Sequence, residues 1–201
     1  MTEKEMKIIG LTGGVGAGKS TVLDYLERHL SACVIQADKV GHQVMEPGGR
    51  CYDEVIKLFG KKVIKSDKTI DRKAVSDVVF CNGEMRQKLN EIIHPAVKKV
   101  ILEKIEEEKK KRRDLFVVEA ALLLEDHYDR FCHRIWYVHT DRELRIFRLM
   151  DIRGYSRQKA ENIIASQASD EYFRSHADYI IKNNGILDET YRQIEEGIRK
   201  L

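Results

Sequence analysis

The segment GGVGAGKS at residues 13–20 constrains the fold more than any other part of the chain, because glycine fills four of its first six positions. Its spacing is that of a glycine separated by four residues from Gly-Lys followed by Ser or Thr. The apolar run before it, Lys7–Thr12, predicts a buried strand, and apolar residues recur at helical spacing over Lys19–Leu30. Glycine permits conformations in which backbone N–H groups point at a ligand, and the start of a helix favours negative charge. The segment therefore predicts a loop that binds the phosphate groups of a nucleoside triphosphate.

Different residues of this loop are expected to contact different parts of the phosphate chain. We expect the Lys19 ammonium to reach the β- and γ-phosphates, the Ser20 hydroxyl to bind Mg²⁺, and Thr21 to contact the α-phosphate. Backbone groups complete the predicted cradle, from Gly13, Gly14, Val15, Gly16, Ala17 and Gly18. The alternative is a glycine turn with a purely structural role.

The loop excludes two other classes of nucleotide-binding protein. In the dinucleotide-binding fingerprint G-x-G-x-x-G, Gly14 and Gly16 fit, but the third glycine position holds Lys19. Nicotinamide and flavin cofactors are therefore not expected. The chain also lacks the N-K-x-D sequence that recognises guanine, which excludes a typical GTPase.

Strand-like and helix-like patterns alternate along the rest of the chain. Short apolar runs predict further strands at 32–35, 115–118, 135–138 and 177–181. Helical patterns occupy 50–59, 72–80, 84–92, 156–167 and 187–200, and Pro95 is expected to open a long helix that ends near residue 113. The sequence from Thr140 to Glu143 has the form of a capping box, in which the Thr140 hydroxyl would cap a helix over 141–151. The alternation predicts an α/β fold with a mainly parallel sheet covered by helices on both faces.

The composition sets the expected environment. Charged residues make up 34% of the chain, but the formal net charge is only +3, which does not favour nucleic acid or an anionic membrane as a partner. The basic run at 104–114 contains several acids, so we interpret it as a solvated helix end rather than a nucleic-acid patch. Without a long apolar run, or a zinc-like spacing among its four cysteines, the chain is expected to be cytoplasmic, with reduced thiols.

Asp38 follows the second predicted strand directly, on the side of the sheet where the loop lies. A carboxylate there can accept a proton from an attacking hydroxyl or help to hold Mg²⁺. The alternative is that Asp38 caps a helix. His42 follows one helical turn later and would face the substrate if Asp38 does.

The ordered set of motifs resembles the dephospho-CoA kinase family over nearly all of residues 7–200. The motifs are LTGGVGAGKST at 11–21, ADKVGHQVMEPG at 37–48, FG at 59–60, IDR at 70–72, HPAV at 94–97, LLLE at 122–125, RLM at 148–150, the segment 160–167, and ADYIIKNNG at 177–185. The loop alone is shared by many P-loop proteins, whereas the whole set is specific to this family.

The resemblance implies a single P-loop NTPase domain over 1–201, with a five-stranded parallel sheet flanked by helices. It divides the chain into a core (about 6–40, 114–140 and 177–201), a helical substrate-binding region (about 41–113) and a helical lid (about 141–176). The implied reaction is phosphorylation of the ribose 3′-hydroxyl of dephospho-CoA, with ATP as co-substrate and Mg²⁺. The expected partner is this small molecule alone, and the expected state is a monomer or a weak homo-oligomer.

The resemblance also assigns roles to individual residues outside the loop. Asp38 matches the proposed catalytic base, and Arg148 matches the first arginine of the lid. The substrate side includes Arg72, His94 and Pro95, while Asn183 falls in the segment near the adenine.

Several positions depart from the family pattern. The second lid arginine is replaced by Ile152, with Arg153 one place later, and a third arginine position holds Ile163. Arg153 could compensate if the helix ends at Gly154, and Arg145 is a further candidate on the same helix face as Arg148. Gln36 and Ala121 also differ from the usual residues. These departures leave open a related kinase with another nucleoside or nucleotide acceptor, or a nucleotide-binding homologue with weakened catalysis.

Overall fold

The computed structural model describes residues 5–201, and the first residues of the domain predicted to begin at residue 1 lie outside this range. Two compact units divide the chain. The first, which we call the sheet unit, contains the residues up to Ile35 and Glu108–Leu201. The second, the helical unit, contains Gln36–Glu107.

The sheet unit is built on five strands in the order β2-β3-β1-β4-β5. β1 (Lys7–Thr12) lies at the centre, next to β3 (Leu115–Glu119) and β4 (Arg134–His139), and it is parallel to both. β5 (Tyr179–Lys182) extends the sheet on the far side of β4, and β2 (Cys33–Gln36) forms the opposite edge. The predicted five-stranded parallel sheet is confirmed, and the bounds of β1 are those expected from its apolar run.

Nine α-helices occur among residues 5–201. Their bounds are α1 Lys19–Leu30, α2 Ala37–Gln43, α3 Tyr52–Phe59, α4 Arg72–Cys81, α5 Gly83–Lys110, α6 Arg142–Arg153, α7 Arg157–Ala165, α8 Asp170–His176 and α9 Leu187–Arg199. No helix in this range is both long and apolar enough to cross a membrane.

The core of the sheet unit lies between the sheet and helices α1 and α9. Ile9, Leu11, Val22 and Leu26 are fully buried there, since the apolar residues of β1 and α1 face each other across the layer. Trp136 on β4 is also buried, as expected, and α9 packs so closely over it that Gly197 leaves no room for a side chain. This packing fixes the strand ends from which the loops emerge.

Helix α5 corrects the predicted break between two helices. It runs without interruption through Pro95, although proline removes one helical hydrogen bond and crowds the preceding turn. Val97, Ile101 and Ile105 follow at four-residue spacing and are all buried, so the burial of this stripe outweighs the local cost of the proline.

Two further expectations are corrected. Thr140 does not cap α6, since the cap residue is Asp141 and the Thr140 hydroxyl makes long-range hydrogen bonds instead. In the charge run at 104–114, Glu108 is only 2% exposed, and its carboxylate pairs with Lys111 Nζ at 2.9 Å and Arg113 Nε at 3.2 Å. The helix α8 was not predicted at all.

Candidate phosphate-binding and phosphoryl-transfer site

The glycine-rich loop connects β1 to α1 in the conformation that its glycines permit. Gly16 and Gly18 have φ angles of 81° and 87°, a region that residues with a side chain rarely occupy. The N–H of Ala17 closes a turn by donating to the Gly14 carbonyl at 3.1 Å. Within residues 5–201, the backbone N–H groups of Gly16, Gly18 and Ser20 donate no hydrogen bond. These donors, together with the start of α1, form a site suited to an anion.

Lys19 is the first residue of α1, and its side chain bends back over the loop. Its Nζ donates to the Gly13 carbonyl at 2.7 Å and lies 3.5 Å from Glu119 Oε1. Ser20 is exposed beside it, and Thr21 is half-buried. The ammonium is therefore held at the mouth of the loop, where a phosphate chain would enter.

Glu119 is a residue that sequence reasoning missed. It ends β3, the neighbour of β1, and its side chain is only 9% exposed. The sequence did contain a signal for it, because Glu119 directly follows the apolar run of a predicted strand. An acid at the carboxyl end of a strand beside the loop is well placed to act on Mg²⁺ directly or through water.

The Mg²⁺ expectation fits this arrangement of donors. No group of three or more His, Cys, Asp or Glu side chains among residues 5–201 could hold a metal ion alone. Mg²⁺ commonly binds through one or two protein oxygens together with substrate phosphates and water. The Ser20 hydroxyl stays the predicted protein oxygen for such a site, and the Glu119 carboxylate is a second candidate.

Helix α6 contacts the loop through Arg145. Its Nε donates to the Val15 carbonyl at 2.9 Å, and one terminal nitrogen donates to Gln167 Oε1 at 2.6 Å. The Val15 N–H donates to the same Gln167 oxygen at 3.1 Å. Burial lowers the pKa of the Arg145 guanidinium, and the nearby Tyr137 and Asp170 oppose this shift. The loop, α6 and the segment before α8 are thus joined around Val15.

Arg148 lies one helical turn further along α6. It donates to the main-chain carbonyl of Asn183 at 2.9 Å and makes longer contacts to Gly16 and Ala17 carbonyls, at 3.4 and 3.5 Å. Burial lowers its pKa. Asn183 itself is 3% exposed, and its side-chain nitrogen donates to the Ala17 carbonyl at 2.8 Å. The structure therefore brings Arg148 and Asn183 together at the loop.

Arg153 is placed differently. It is the last residue of α6, and Gly154 caps the helix with a φ of 63°, so the helix ends where expected. Arg153 and Ile152 are both exposed, with Ile152 at 76%. Within residues 5–201, Arg153 makes no hydrogen bond or ion pair from its side chain, and its part in the site stays a prediction.

The remaining predicted residues belong to the helical unit. Asp38 is the second residue of α2, and the cap of that helix is Gln36, so Asp38 is not a cap. Burial lowers the pKa of His42 and the Arg72 guanidinium adds to this, whereas Asp38 and Glu46 act in the opposite direction. Asp38 and Arg72 are therefore each within electrostatic range of His42.

His94 and Pro95 lie in the middle of α5. They line a shallow cavity on that helix together with Arg86 and Asn90. Asn90 and His94 follow Arg86 at four-residue spacing, which places the three side chains on one helix face. Their part in substrate binding stays a prediction.

Comparisons with known proteins add to this geometry. The family model for dephospho-CoA kinases matches residues 7–189. A dephospho-CoA kinase of Geobacter sulfurreducens is 37% identical over 191 residues, covering 95% of this chain and 96% of the relative. One from Shouchella clausii is 34% identical and covers 96% of this chain and 97% of the relative.

Solved structures show the same fold. The dephospho-CoA kinase from Campylobacter jejuni superposes with a TM-score of 0.73 at 27% identity, covering 98% of this chain and 97% of the other. A shikimate kinase from Acinetobacter baumannii, at 16% identity and a TM-score of 0.55 over 98% of this chain and 95% of the other, shares the fold alone. Because the family model and these relatives match almost the entire length, the chain belongs to the dephospho-CoA kinase family.

Proposed function

We propose that this protein transfers the γ-phosphoryl group of ATP to the 3′-hydroxyl of the ribose in dephospho-CoA. The observation that carries the proposal is the loop from Gly13 to Ser20, whose Lys19 ammonium and whose N–H groups without a partner among residues 5–201 suit a polyphosphate. The family then selects the acceptor among the many that P-loop kinases use, and no feature of the site favours another one.

In the proposed transfer, a bond forms between the acceptor oxygen and the γ-phosphorus while the bond from that phosphorus to the β–γ bridging oxygen breaks. The proton of the 3′-hydroxyl goes to the Asp38 carboxylate, which acts as general base. Asp38 is proposed for this role because it follows β2, a strand of the same sheet, and is not used as a helix cap. ADP leaves with the negative charge that the reaction moves onto it.

The loop residues hold the phosphate chain during this step. Lys19 faces the β- and γ-phosphates, and Thr21 the α-phosphate. Ser20 and Glu119 are the residues that would hold Mg²⁺, which neutralises phosphate charge when bound. Arg148 from α6, with Arg153 as the second candidate, would add positive charge beside the transferred group.

The acceptor is proposed to bind the helical unit, through His42, Arg72, His94 and Pro95. Arg72 offers a bidentate guanidinium, which matches the diphosphate that dephospho-CoA carries. We also propose that 41–113 is the substrate-binding region and 141–176 the lid of one kinase domain, and that the protein is a monomer or a weak homo-oligomer.

A panel of acceptors tests this proposal. ADP formation is measured with ATP and Mg²⁺ in the presence of dephospho-CoA, adenosine, shikimate or no acceptor. We expect turnover with dephospho-CoA alone, and Lys19→Met as a control should abolish it. Faster turnover with another acceptor, or tight ATP binding without transfer to any of them, would overturn the proposal.

A further inference from the structure

We infer that Asn183 is a positioning residue for the phosphate loop, and that it acts by fixing the carbonyl of Ala17 rather than by reading the adenine base. The inference rests on the proposed function only in taking a polyphosphate as the ligand of the loop.

Three polar side chains meet behind the loop and are almost completely buried. Thr140 and Asn183 are each 3% exposed, and Thr190 is 0% exposed. Polar groups that are buried to this degree are as a rule hydrogen-bonded within the protein, because leaving one unpaired destabilises the fold. Thr140 directly follows β4, Asn183 directly follows β5, and Thr190 lies on α9.

Two of these side chains bind one backbone atom of the loop, and the third binds one of the two. The Ala17 carbonyl accepts from Thr140 Oγ1 at 2.9 Å and from Asn183 Nδ2 at 2.8 Å. Thr190 Oγ1 donates to Asn183 Oδ1 at 3.0 Å. The Ala17 carbonyl can only accept, so the amide must present its nitrogen to it, and the Thr190 hydroxyl on α9 supports this orientation by donating to the amide oxygen.

The geometry of a peptide bond connects this carbonyl to the phosphate side of the loop. All peptide bonds in residues 5–201 are trans, so the C=O of Ala17 and the N–H of Gly18 point in opposite directions. Pulling the carbonyl toward Asn183 and Thr140 therefore turns the Gly18 N–H away from them. Gly18 N–H is one of the loop donors that makes no hydrogen bond among the described residues.

Every polar atom of Asn183 already has a hydrogen-bond partner within the protein. Its N–H donates to the His139 carbonyl at 2.8 Å, and its own carbonyl accepts from Arg148 at 2.9 Å. Its side chain is also pressed against the loop, since a Cβ on Gly18 would lie only 2.1 Å from Nδ2. The side chain of Asn183 therefore holds the loop at Ala17 and packs against Gly18.

Binding measurements with a ligand that lacks a base test this inference. The dissociation constants of ATP, GTP and inorganic tripolyphosphate, each with Mg²⁺, are measured for the full-length protein without an acceptor. The variant Asn183→Leu keeps the side-chain shape but removes both hydrogen bonds and adds no charge. The matched control is Asn184→Leu, because Asn184 is exposed and its side chain accepts from Asp141 N–H instead of contacting the loop.

We expect Asn183→Leu to weaken the binding of ATP and the binding of tripolyphosphate by the same factor, about tenfold. The ratio of the ATP affinity to the GTP affinity should stay unchanged. Asn184→Leu should change each constant by less than about twofold. Weaker binding of ATP with unchanged binding of tripolyphosphate would overturn the inference in favour of an adenine contact. A changed ratio of ATP affinity to GTP affinity would do the same. Unchanged binding of all three ligands would also overturn it.

A second pair of variants keeps the test valid if Asn183→Leu does not fold. Thr190→Val removes the hydroxyl that orients the amide, and Thr190→Ser retains it. We expect about threefold weaker binding of both ATP and tripolyphosphate for the valine variant, and near wild-type binding for the serine variant. Equal effects of the two would contradict the inference. Because no acceptor is present, a protein that fails to phosphorylate dephospho-CoA would leave these results intact, so the two failures are distinguishable.

Discussion

The side chains of Arg145 and Gln167 form a 2.6 Å hydrogen bond beside Val15, and both of them also bind the backbone of that loop residue. Arg145 is on α6, and Gln167 lies just beyond α7. The guanidinium covers Gly14 so closely that a side chain at that position would overlap it. One arginine therefore ties the helices of 141–176 to the first half of the phosphate loop.

We expect Arg145→Ala to raise the dissociation constant of ATP about tenfold, because the loop loses a charged hydrogen bond and a positive charge near the phosphates. Isothermal titration calorimetry measures this directly. The matched control is Arg142→Ala on the same helix, since among residues 5–201 the Arg142 side chain pairs only with its neighbour Glu143. Equal ATP affinities of the two variants would contradict the role given to Arg145.

Asp38→Asn should reduce turnover by about 10²- to 10⁴-fold, because an amide cannot accept the proton of the acceptor hydroxyl. ATP affinity should remain within about twofold of the wild type, since the loop is untouched. Steady-state rates and ATP titrations separate the two effects. Asp53→Asn, at an exposed acid on α3, is the control. A rate equal to that of the control would remove Asp38 from the mechanism.

Glu119→Gln is expected to raise the Mg²⁺ concentration needed for half-maximal rate by about tenfold, because the amide replaces a carboxylate beside the proposed metal position. The measurement is a Mg²⁺ titration of the initial rate at saturating ATP. Glu125→Gln is an exposed control outside the loop. If both variants need the same Mg²⁺ concentration as the wild type, Glu119 does not act on the metal.

Asp170, at the start of α8, is expected to stabilise the folded protein at neutral pH but not at low pH. Burial acts to raise its pKa, but hydrogen bonds from Tyr137, Arg174 and His139 outweigh this and lower the pKa from 3.8 to about 2. A carboxyl with a lowered pKa stabilises the fold above its unfolded pKa, and that contribution is lost as the pH falls from about 4 to about 2.

Because this carboxylate is nearly half exposed, we discount the effect for solvent screening and expect Asp170→Asn to lower the free energy of unfolding by about 1 kcal/mol at pH 7. Urea unfolding of both proteins at pH 7, 4 and 3 measures the difference. The gap between them should narrow as the pH falls below 4. A gap that stays constant with pH would show that the charge of Asp170 contributes nothing.

The sequence predicted the elements whose signals are local. β1 and α1 have the expected bounds, because an apolar run, a glycine turn and a helical apolar pattern follow one another without a gap. The end of α6 at Gly154 was also predictable from the sequence, since glycine readily adopts the left-handed conformation that ends a helix. The loop between β1 and α1 was predictable as well, because the glycines, Lys19 and Ser20 that suit it to a phosphate chain are adjacent in the sequence.

The features that the sequence did not reveal depend on distant partners. The Thr140 hydroxyl binds the carbonyl of Ala17, 123 residues away, so its capping-box pattern was misleading. The helix break expected at Pro95 was wrong because the buried stripe of α5 decides the outcome, and burial is a property of the folded chain. The contact of Arg145 with Val15 likewise joins residues 130 positions apart.

The measurement that tests the account most directly is the position of the new phosphate. Wild-type protein is incubated with ATP, Mg²⁺ and dephospho-CoA, and the product is analysed by ³¹P NMR with coupling to the ribose protons. The account predicts one new phosphomonoester, coupled to the 3′ proton, formed in equal amount to ADP. A phosphate at another oxygen, or ADP formed without any phosphorylated dephospho-CoA, would contradict it.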